Sequence, residues 1–362
     1  MKIGIDITTL GGIRGPGRVT RELIRSLSRF ESGDRFFLYT PVEPPPLTLP
    51  GNFMLRRVPL RRGMPWLNFS LPLAAIRDRV DVMLFPANDC WMLPYTPSVV
   101  VIHDLAQVSY LKQYICFIDR LQNILQLHQL KYTAEIIITI SSYTASELEK
   151  RYPSLKSKIR VVYDGYNQDI FFKRDNKSID NKIYILFVSG FDVRKNVDNL
   201  IKAFKILNLK NRKEILYLKG VVENDVKYYT DVPGLVKKHG IEKSVVIDST
   251  YTTDDRLAVL YNNASLLVMP SFIEGFGLPV LEAMACGCPV ACSNAASLPE
   301  VGGDAALYFD PYDVNEMAAV MNKMLNDDRL RKELTAQGLA RAKKFSWDVA
   351  GRQVYAVIKN IK

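Results

Sequence analysis

Two carboxylates eight positions apart, Glu274 and Glu282, bracket the segment Glu274-Gly-Phe-Gly-Leu-Pro-Val-Leu-Glu282. Gly275 and Gly277 let the backbone approach a ligand closely, and Pro279 suits the first turn of a helix because its missing N–H is not needed there. Free N–H groups around Gly275, Phe276, Gly277 and Leu278, at a helix start, make a seat for an anion such as a diphosphate. Glu274 could then accept hydrogen bonds from sugar hydroxyls, and Glu282, about two turns into the helix, could reach a ribose diol. The alternative is an ordinary turn leading into a surface helix.

A second cluster, Arg194-Lys195-Asn196, follows an apolar run over 183–188. Arg can bind phosphate oxygens in pairs and Lys acts as a compact point charge, so adjacent cations beyond a strand end suit a diphosphate. A third segment, Gly11-Gly-Ile-Arg-Gly-Pro-Gly17, lies between the first apolar run and a helical pattern. A dinucleotide fingerprint would require a small residue three positions after Gly17, where Thr20 stands, and an acid after the run over 36–39, which is absent. Gly12, Gly15 and Gly17 therefore fit a lid over donor phosphates or acceptor better than an NAD loop. His103-Asp104 follows the run over 99–102, where catalytic loops stand, although His103 could equally be a loop histidine bonded to Asp104. Arg14, Arg18, Arg21, Arg25 and Arg29 recur every three or four residues, one helical stripe distinct from Val19, Leu23 and Leu27. With Arg61 and Arg62 near Trp66, they read as a solvated face or as a contact for anionic lipid or a phosphorylated acceptor.

The elements that must carry these residues alternate almost throughout. Strands are expected over 2–6, 36–39, 82–85, 99–102 and 135–140, with helices over 18–30 and 117–132 and a cap at Ser142. Around 163–182 the pattern relaxes into Asp, Asn, Lys and Gly, the best linker candidate. Beyond it come strands over 183–188, 215–218, 245–247, 266–269 and 289–292, and helices over 197–207, 228–238, 253–261 and 279–285, with helices dominating to the end. Repeated strand–helix units predict parallel sheets covered on both faces. Two such runs predict two doubly wound Rossmann-like α/β domains facing across a cleft, an acceptor domain over 1–170 and a donor domain over 171–345. Ligands of such sheets bind beyond the carboxyl ends of strands, which is where the clusters fall.

The chain has 362 residues, 48% hydrophobic and 24% charged, as expected of a globular protein and not of a disordered one. No run of about 18 apolar residues suggests a membrane span, and the first ten residues read as a strand, so a cytoplasmic location is expected. The net charge is +10, with 21 Lys and Arg against 15 Asp and Glu in the first 170 residues. A basic balance admits nucleic acid, but no aromatic stacking motif or binding module accompanies it. Cys286, Cys288 and Cys292 fit no common zinc spacing, so small-residue packing is the better reading and no metal is expected.

Taken in order, Gly11–Arg18, His103-Asp104, Ser141–Leu148, Arg194-Lys195-Asn196 and the Glu274–Glu282 pair resemble the signatures of a family-4 glycosyltransferase of the GT-B fold. Met284-Ala-Cys-Gly-Cys-Pro289 and Leu298-Pro-Glu300 match the family's phrasing too. The resemblance implies retention of anomeric configuration without a metal or cofactor, with a nucleotide-diphosphate sugar as donor. It implies that Ser189, Gly190, Arg194 and Lys195 bind the diphosphate, that the backbone of 275–278 holds sugar and phosphate, and that Glu274 contacts sugar hydroxyls. Glu282 would bind the ribose and His103 would stand near the transferring sugar, with Gly12, Gly15 and Gly17 over the donor. The last helix, within 346–362, would cross back to the first domain. One departure is visible: relatives carry a Gly-Arg pair where Ser189-Gly190-Phe191 stands, so Arg194 would have to substitute. Within the family the chain resembles bacterial polysaccharide mannosyltransferases of lipopolysaccharide assembly, which implies GDP-mannose as donor and a glycan or polyprenyl-diphosphate acceptor, at the inner face of the cytoplasmic membrane. Rhamnosyl, glucosyl or N-acetylglucosaminyl transfer, and a non-catalytic sugar-nucleotide-binding scaffold, are the alternatives.

Overall fold

The computed structural model describes all residues except 13–14, 59–64, 107, 111–116, 175–183, 209–212, 221–227 and 362. Arg14, Arg61, Arg62 and Cys116 lie outside the described residues. The chain forms two compact units, one of Met1–Ser109, Cys116–Gly165 and Trp347–Lys362, the other of Tyr110–Ile115 and Tyr166–Ser346.

The first unit is a parallel sheet of β1 (Lys2–Asp6), β2 (Arg35–Thr40), β3 (Phe53–Arg57), β4 (Val82–Phe85), β5 (Ser98–Ile102), β6 (Ile136–Thr139) and β7 (Ile159–Val161), in the order β3-β2-β1-β4-β5-β6-β7. Its central strands are apolar and almost wholly buried because helices cover both faces. Those helices are α1 (Gly15–Ser28), α2 (Leu71–Asp78), α3 (Phe117–Thr133), α4 (Ser142–Arg151) and, from the far end of the chain, α12 (Trp347–Lys359). The carboxylate of Asp34 ties α12 down, accepting bonds from Tyr355 Oη at 2.6 Å, Lys359 Nζ at 3.1 Å and the amino terminus at 2.6 Å.

The second unit is a parallel sheet of β8 (Tyr184–Val188), β9 (Ile215–Lys219), β10 (Val245–Asp248), β11 (Leu266–Met269), β12 (Val290–Ser293) and β13 (Ala306–Phe309), in the order β10-β9-β8-β11-β12-β13. Around it stand α5 (Val197–Asn208), α6 (Val232–His239), α7 (Asp254–Asn263), α8 (Leu278–Ala285), α9 (Leu298–Gly302), α10 (Val314–Asn326) and α11 (Asp328–Ala342). Ile185, Phe187, Leu216, Leu218, Leu266 and Val268 of the sheet share one buried cluster with Leu200, Ile201 and Phe204 of α5.

Several boundaries differ from the sequence expectation. The first helix begins at Gly15, not residue 18, because Pro16 already has the φ that a first helical turn requires. Gly15 and Gly17 thus belong to the helix rather than to a lid, and a Cβ on Gly17 would lie 2.2 Å from Gly12 O and 2.7 Å from Thr9 O. The cap of α4 is Ser141, whose backbone is extended and whose Oγ accepts from Thr144 N at 3.1 Å, while Ser142 is already helical. Helix α6 starts at Val232, capped by Asp231. Residues 228–230 bond the loop after β8 instead, through Val193 N to Tyr228 O and Thr230 N to Phe191 O, both 2.8 Å. Strands β3, β7 and β13 and helix α2 were not foreseen: each is short, and β7 has no buried position.

Candidate active site

In the second unit the strand order reverses between β8 and β11, since β9 and β10 build outward from β8 and β12 and β13 from β11. Doubly wound sheets open a crevice at such a switch point because the two loops leave toward opposite faces. The two loops that flank it carry Arg194 and Lys195 on one side and Glu274 on the other. They are sewn together: Phe272 N donates to Arg194 O at 2.8 Å, and Asn196 Nδ2 donates to Pro270 O at 2.9 Å and Pro311 O at 2.7 Å. Asn196 has φ 58° and ψ 35°, a left-handed conformation that Asn tolerates, and α5 starts directly after it.

Lys195 and Glu274 form one bidentate pair. Lys195 Nζ donates to Glu274 Oε1 at 2.7 Å and Oε2 at 2.9 Å, and Ser271 Oγ donates to Oε1 at 2.8 Å. Both residues are buried, at 7% and 6% exposure. Burial alone would raise the Glu274 pKa, but the charges of Lys195 and then Arg194, with the bonds from Lys195 and Ser271, hold it below the ordinary glutamate value. The carboxylate is therefore ionised. Arg194 Nε lies 2.9 Å from Asp192 Oδ1, so the guanidinium is shared between Asp192 and the field of Glu274.

Gly277 is the N-cap of α8, with φ 105°, and no side chain caps that helix. A Cβ there would lie 2.8 Å from Leu298 Cδ2, so the turn needs glycine for both backbone and space. Ser297 Oγ fixes the turn from behind, bonded to Glu274 O at 3.0 Å and Phe276 O at 2.9 Å. The N-terminus of α8 is thereby left to meet an anion with backbone dipoles. Glu274, Arg194, Lys195 and the Gly275–Gly277 turn thus stand together at the switch point. Ser189 N bonds Lys219 O at 3.1 Å, and Gly190 follows it in the loop after β8 with room at its Cα for a methyl group.

Glu282, expected from the sequence to reach a ribose diol, is buried on α8. It is 1% exposed, and Tyr261 Oη donates to its Oε2 at 3.1 Å. Ser271, Tyr261, Ser297 and Asp192 were missed by the sequence reading. Ser271, three residues before Glu274, was the one with a positional signal; nothing in Ala295-Ala-Ser297 marks the others' equivalent role.

His103 belongs to the first unit, just past β5. Its ring Nε2 is 2.7 Å from Pro86 O and its backbone N donates to Asn88 Oδ1 at 2.7 Å. The ring is not bonded to Asp104, whose Oδ1 accepts from Ala106 N. A carbonyl partner requires Nε2 to carry the proton, leaving Nδ1 as the basic atom. Burial lowers the His103 pKa against the Pro86 bond and the Asp104 charge, so the ring is neutral. Asp6, at the carboxyl end of β1, has its pKa raised to about 6 by burial despite the bonds from Thr8. Of the arginine stripe on α1, Arg18 and Arg21 are half-buried, Arg25 lies 3.7 Å from Glu22, and Arg29 lies 3.2 Å from Asp348 of α12. No helix among the described residues is long and apolar enough to cross a membrane.

Residues 168–341 match the family model described as glycosyl transferases group 1, and residues 13–169 match glycosyltransferase family 4. The chain is 32% identical over 291 residues to the O-antigen chain mannosyltransferase B of Escherichia coli, a match covering 76% of this chain and 73% of that one. It is 37% identical over 189 residues to the serotype-specific mannosyltransferase WbdA of Escherichia coli, covering 52% of this chain but 23% of that longer protein. Among solved structures, sucrose-phosphate synthase from Thermosynechococcus elongatus superposes with a TM-score of 0.81 at 19% identity, over 99% of this chain and 98% of the other, which places the fold with GT-B enzymes.

Proposed function

This chain belongs to glycosyltransferase family 4, and from that premise we propose that it moves mannose from GDP-mannose to a glycan or polyprenyl-diphosphate-linked acceptor in cell-surface polysaccharide assembly. The sugar and the setting are supported by the names of its E. coli relatives, both mannosyltransferases. The observation that carries the mechanism is the Lys195–Glu274 pair beside the uncapped start of α8.

In the proposed reaction the acceptor hydroxyl oxygen bonds to the anomeric carbon on the face that the diphosphate leaves, so configuration is retained. The bond from that carbon to the phosphate oxygen breaks, and the hydroxyl proton passes to the departing phosphate. Negative charge grows on the diphosphate as the bond lengthens. Arg194, Lys195 and the backbone dipoles of 275–278 are fixed positive groups placed to stabilise it, a role that needs no metal or cofactor. Glu274, held ionised, accepts bonds from the sugar hydroxyls, and Glu282 with Tyr261 fixes the ribose side. Neutral His103 presents Nδ1 to a sugar or acceptor hydroxyl, and Gly12, at the turn before α1, borders the acceptor side. Such an acceptor would place the enzyme at the inner face of the cytoplasmic membrane.

Thermal unfolding with GDP, UDP, dTDP, ADP and their sugar conjugates, in chelator, tests the donor. A ligand at 100 times its Kd adds about 2.7 kcal/mol of stability. GDP-mannose should give the largest shift, and turnover with it should yield an α-linked product by proton NMR. A shift only with a uridine or thymidine donor would overturn the mannosyl assignment, and dependence on added divalent ion would overturn the metal-free one.

A further inference from the structure

Ser297 stands at the N-cap of α9, where serine ordinarily bonds the first turn of its own helix, yet no such bond is made. Its Oγ turns instead to Glu274 O at 3.0 Å and Phe276 O at 2.9 Å. Leu298, the next residue, abuts Gly277, where an added Cβ would lie 2.8 Å from Leu298 Cδ2. The turn that enters α8 therefore takes its shape from α9. A helix of five residues does not hold together in isolation, so α9 must itself be fixed from its other end.

Arg341, in the last turn of α11, does this. Carbonyls at a helix C-terminus lack partners within the helix. Arg341 Nη2 donates to Glu300 O at 2.6 Å and Nε to Val301 O at 3.0 Å, so one planar guanidinium holds two successive carbonyls of α9. Gly303 leaves it room: a Cβ there would lie 3.3 Å from Arg341 Nε and Cζ. The same guanidinium lies over the Phe345 ring, with Cζ 5.2 Å from the ring centre. Phe345 is buried and meets the buried Phe276 ring edge to face, 5.7 Å between centres at 73°. Two lines of contact thus leave Arg341 and end on one turn. The first runs through α9 and Ser297 to the carbonyls of Glu274 and Phe276, and the second through Phe345 to the Phe276 ring. All of these residues belong to the second unit.

We propose that Arg341 is a positioning residue for donor binding: it fixes the 274–277 turn through α9 and Phe345, and itself touches neither diphosphate nor sugar. The inference rests on the reading of that turn as the donor seat. The test compares Arg341→Met, which keeps the stem and removes both N–H donors, with Arg341→Lys, which keeps a cation for one carbonyl and for the Phe345 ring. Amide hydrogen exchange of the full chain without ligand reads the turn itself. Peptides over 274–282 should exchange about tenfold faster in Arg341→Met and less so in Arg341→Lys, with α5 as in wild type. Kinetics with GDP-mannose, or another nucleotide sugar that wild type turns over, should show a donor KM raised about tenfold, an unchanged acceptor KM, and recovery of most of the loss in Arg341→Lys. Ser297→Ala cuts one line of contact, and its effect on donor KM should be less than additive with Arg341→Met. Should Arg341→Met fail to fold, Arg341→Lys and Phe345→Leu carry the same readouts. A merely structural arginine would lower the Tm and the active fraction and leave both KM values in place, which overturns the proposal. Unchanged exchange over 274–282 overturns it whatever the kinetics. Faster exchange with an unchanged donor KM overturns it through its premise, since the turn would then be held by Arg341 without being the donor seat.

Discussion

Lys195→Met isolates what holds Glu274 ionised inside the fold. The substitution keeps the side-chain length and removes the cation that makes bonds of 2.7 and 2.9 Å to a carboxylate 6% exposed. Removing one partner of a buried pair costs about 3–5 kcal/mol, because the other charge is left without compensation. In a unit of this size each kcal/mol moves the Tm by about 2–4 °C, so a fall on the order of 6–20 °C is expected. The pH dependence carries the sharper sign. In wild type the Glu274 pKa is depressed, so its stabilising contribution is present above the unfolded value of about 4.3 and is lost as pH falls through the folded value. Without Lys195, burial is opposed only by Arg194 and Ser271, and the carboxyl moves upward. A raised acid contributes stability below the unfolded value and loses it as pH rises. Urea unfolding from pH 4 to 8 should therefore show the gap between wild type and variant widening with pH. Adding Glu274→Gln to Lys195→Met should recover much of the loss, since a neutral amide still accepts the Ser271 bond. A gap that is flat with pH, or single-variant losses that simply add, would refute the pairing as the source of Glu274's charge and leave Lys195 as a phosphate cation only.

Two further substitutions test buried polar groups. Asp164 is buried against Val19, Leu23, Val162, Trp347 and Val354, its Oδ2 finds no partner among the described residues, and burial raises its pKa well above the ordinary value. Its protonated form supports the fold below an unfolded pKa of about 3.9, and that support is lost as pH rises, so Asp164→Asn should gain about 1–3 kcal/mol at pH 8 and little at pH 4 by urea unfolding; no gain at pH 8 would contradict this. Tyr261→Phe removes the donor to Glu282 at 3.1 Å and should cost about 1–3 kcal/mol. It should also raise the donor KM more than it lowers kcat; an unchanged KM would reduce Glu282 to a packing role.

The central parallel strands were readable because burial on both faces forces continuous apolar runs, as in Val82–Phe85 and Leu266–Met269. The edge strand Phe53–Arg57 gave no such run, since only Phe53 of it is buried. The motif Glu274-Gly-Phe-Gly located the turn before α8 because its glycines answer a backbone demand that shows locally, the positive φ at Gly277. Pairings between distant residues left no local trace. Lys195 and Glu274 are 79 positions apart, and each was assigned its own ligand contact when in the folded chain the first partner of each is the other. Tyr261 to Glu282 and Ser297 to the 274–276 backbone are of the same kind.

That mutual engagement bears on how an anion is held. Arg194 is committed to Asp192 and Lys195 to Glu274, so each cation at the switch point arrives with an acid beside it. A diphosphate cannot simply add to free charges; it must share donors already in use. Lys195 has a third ammonium hydrogen beyond the two pointing at Glu274, and the Arg194 guanidinium is held at Nε by Asp192. The paired acids fix those remaining donors in direction, which removes the rotamer cost of ordering a free Lys or Arg when ligand binds. Backbone dipoles at the start of α8, whose entry turn Gly277 forms and Ser297 braces, add to these charges. In the proposed donor complex, orientation of a few donors would then stand in for the arginine absent from Ser189-Gly190-Phe191.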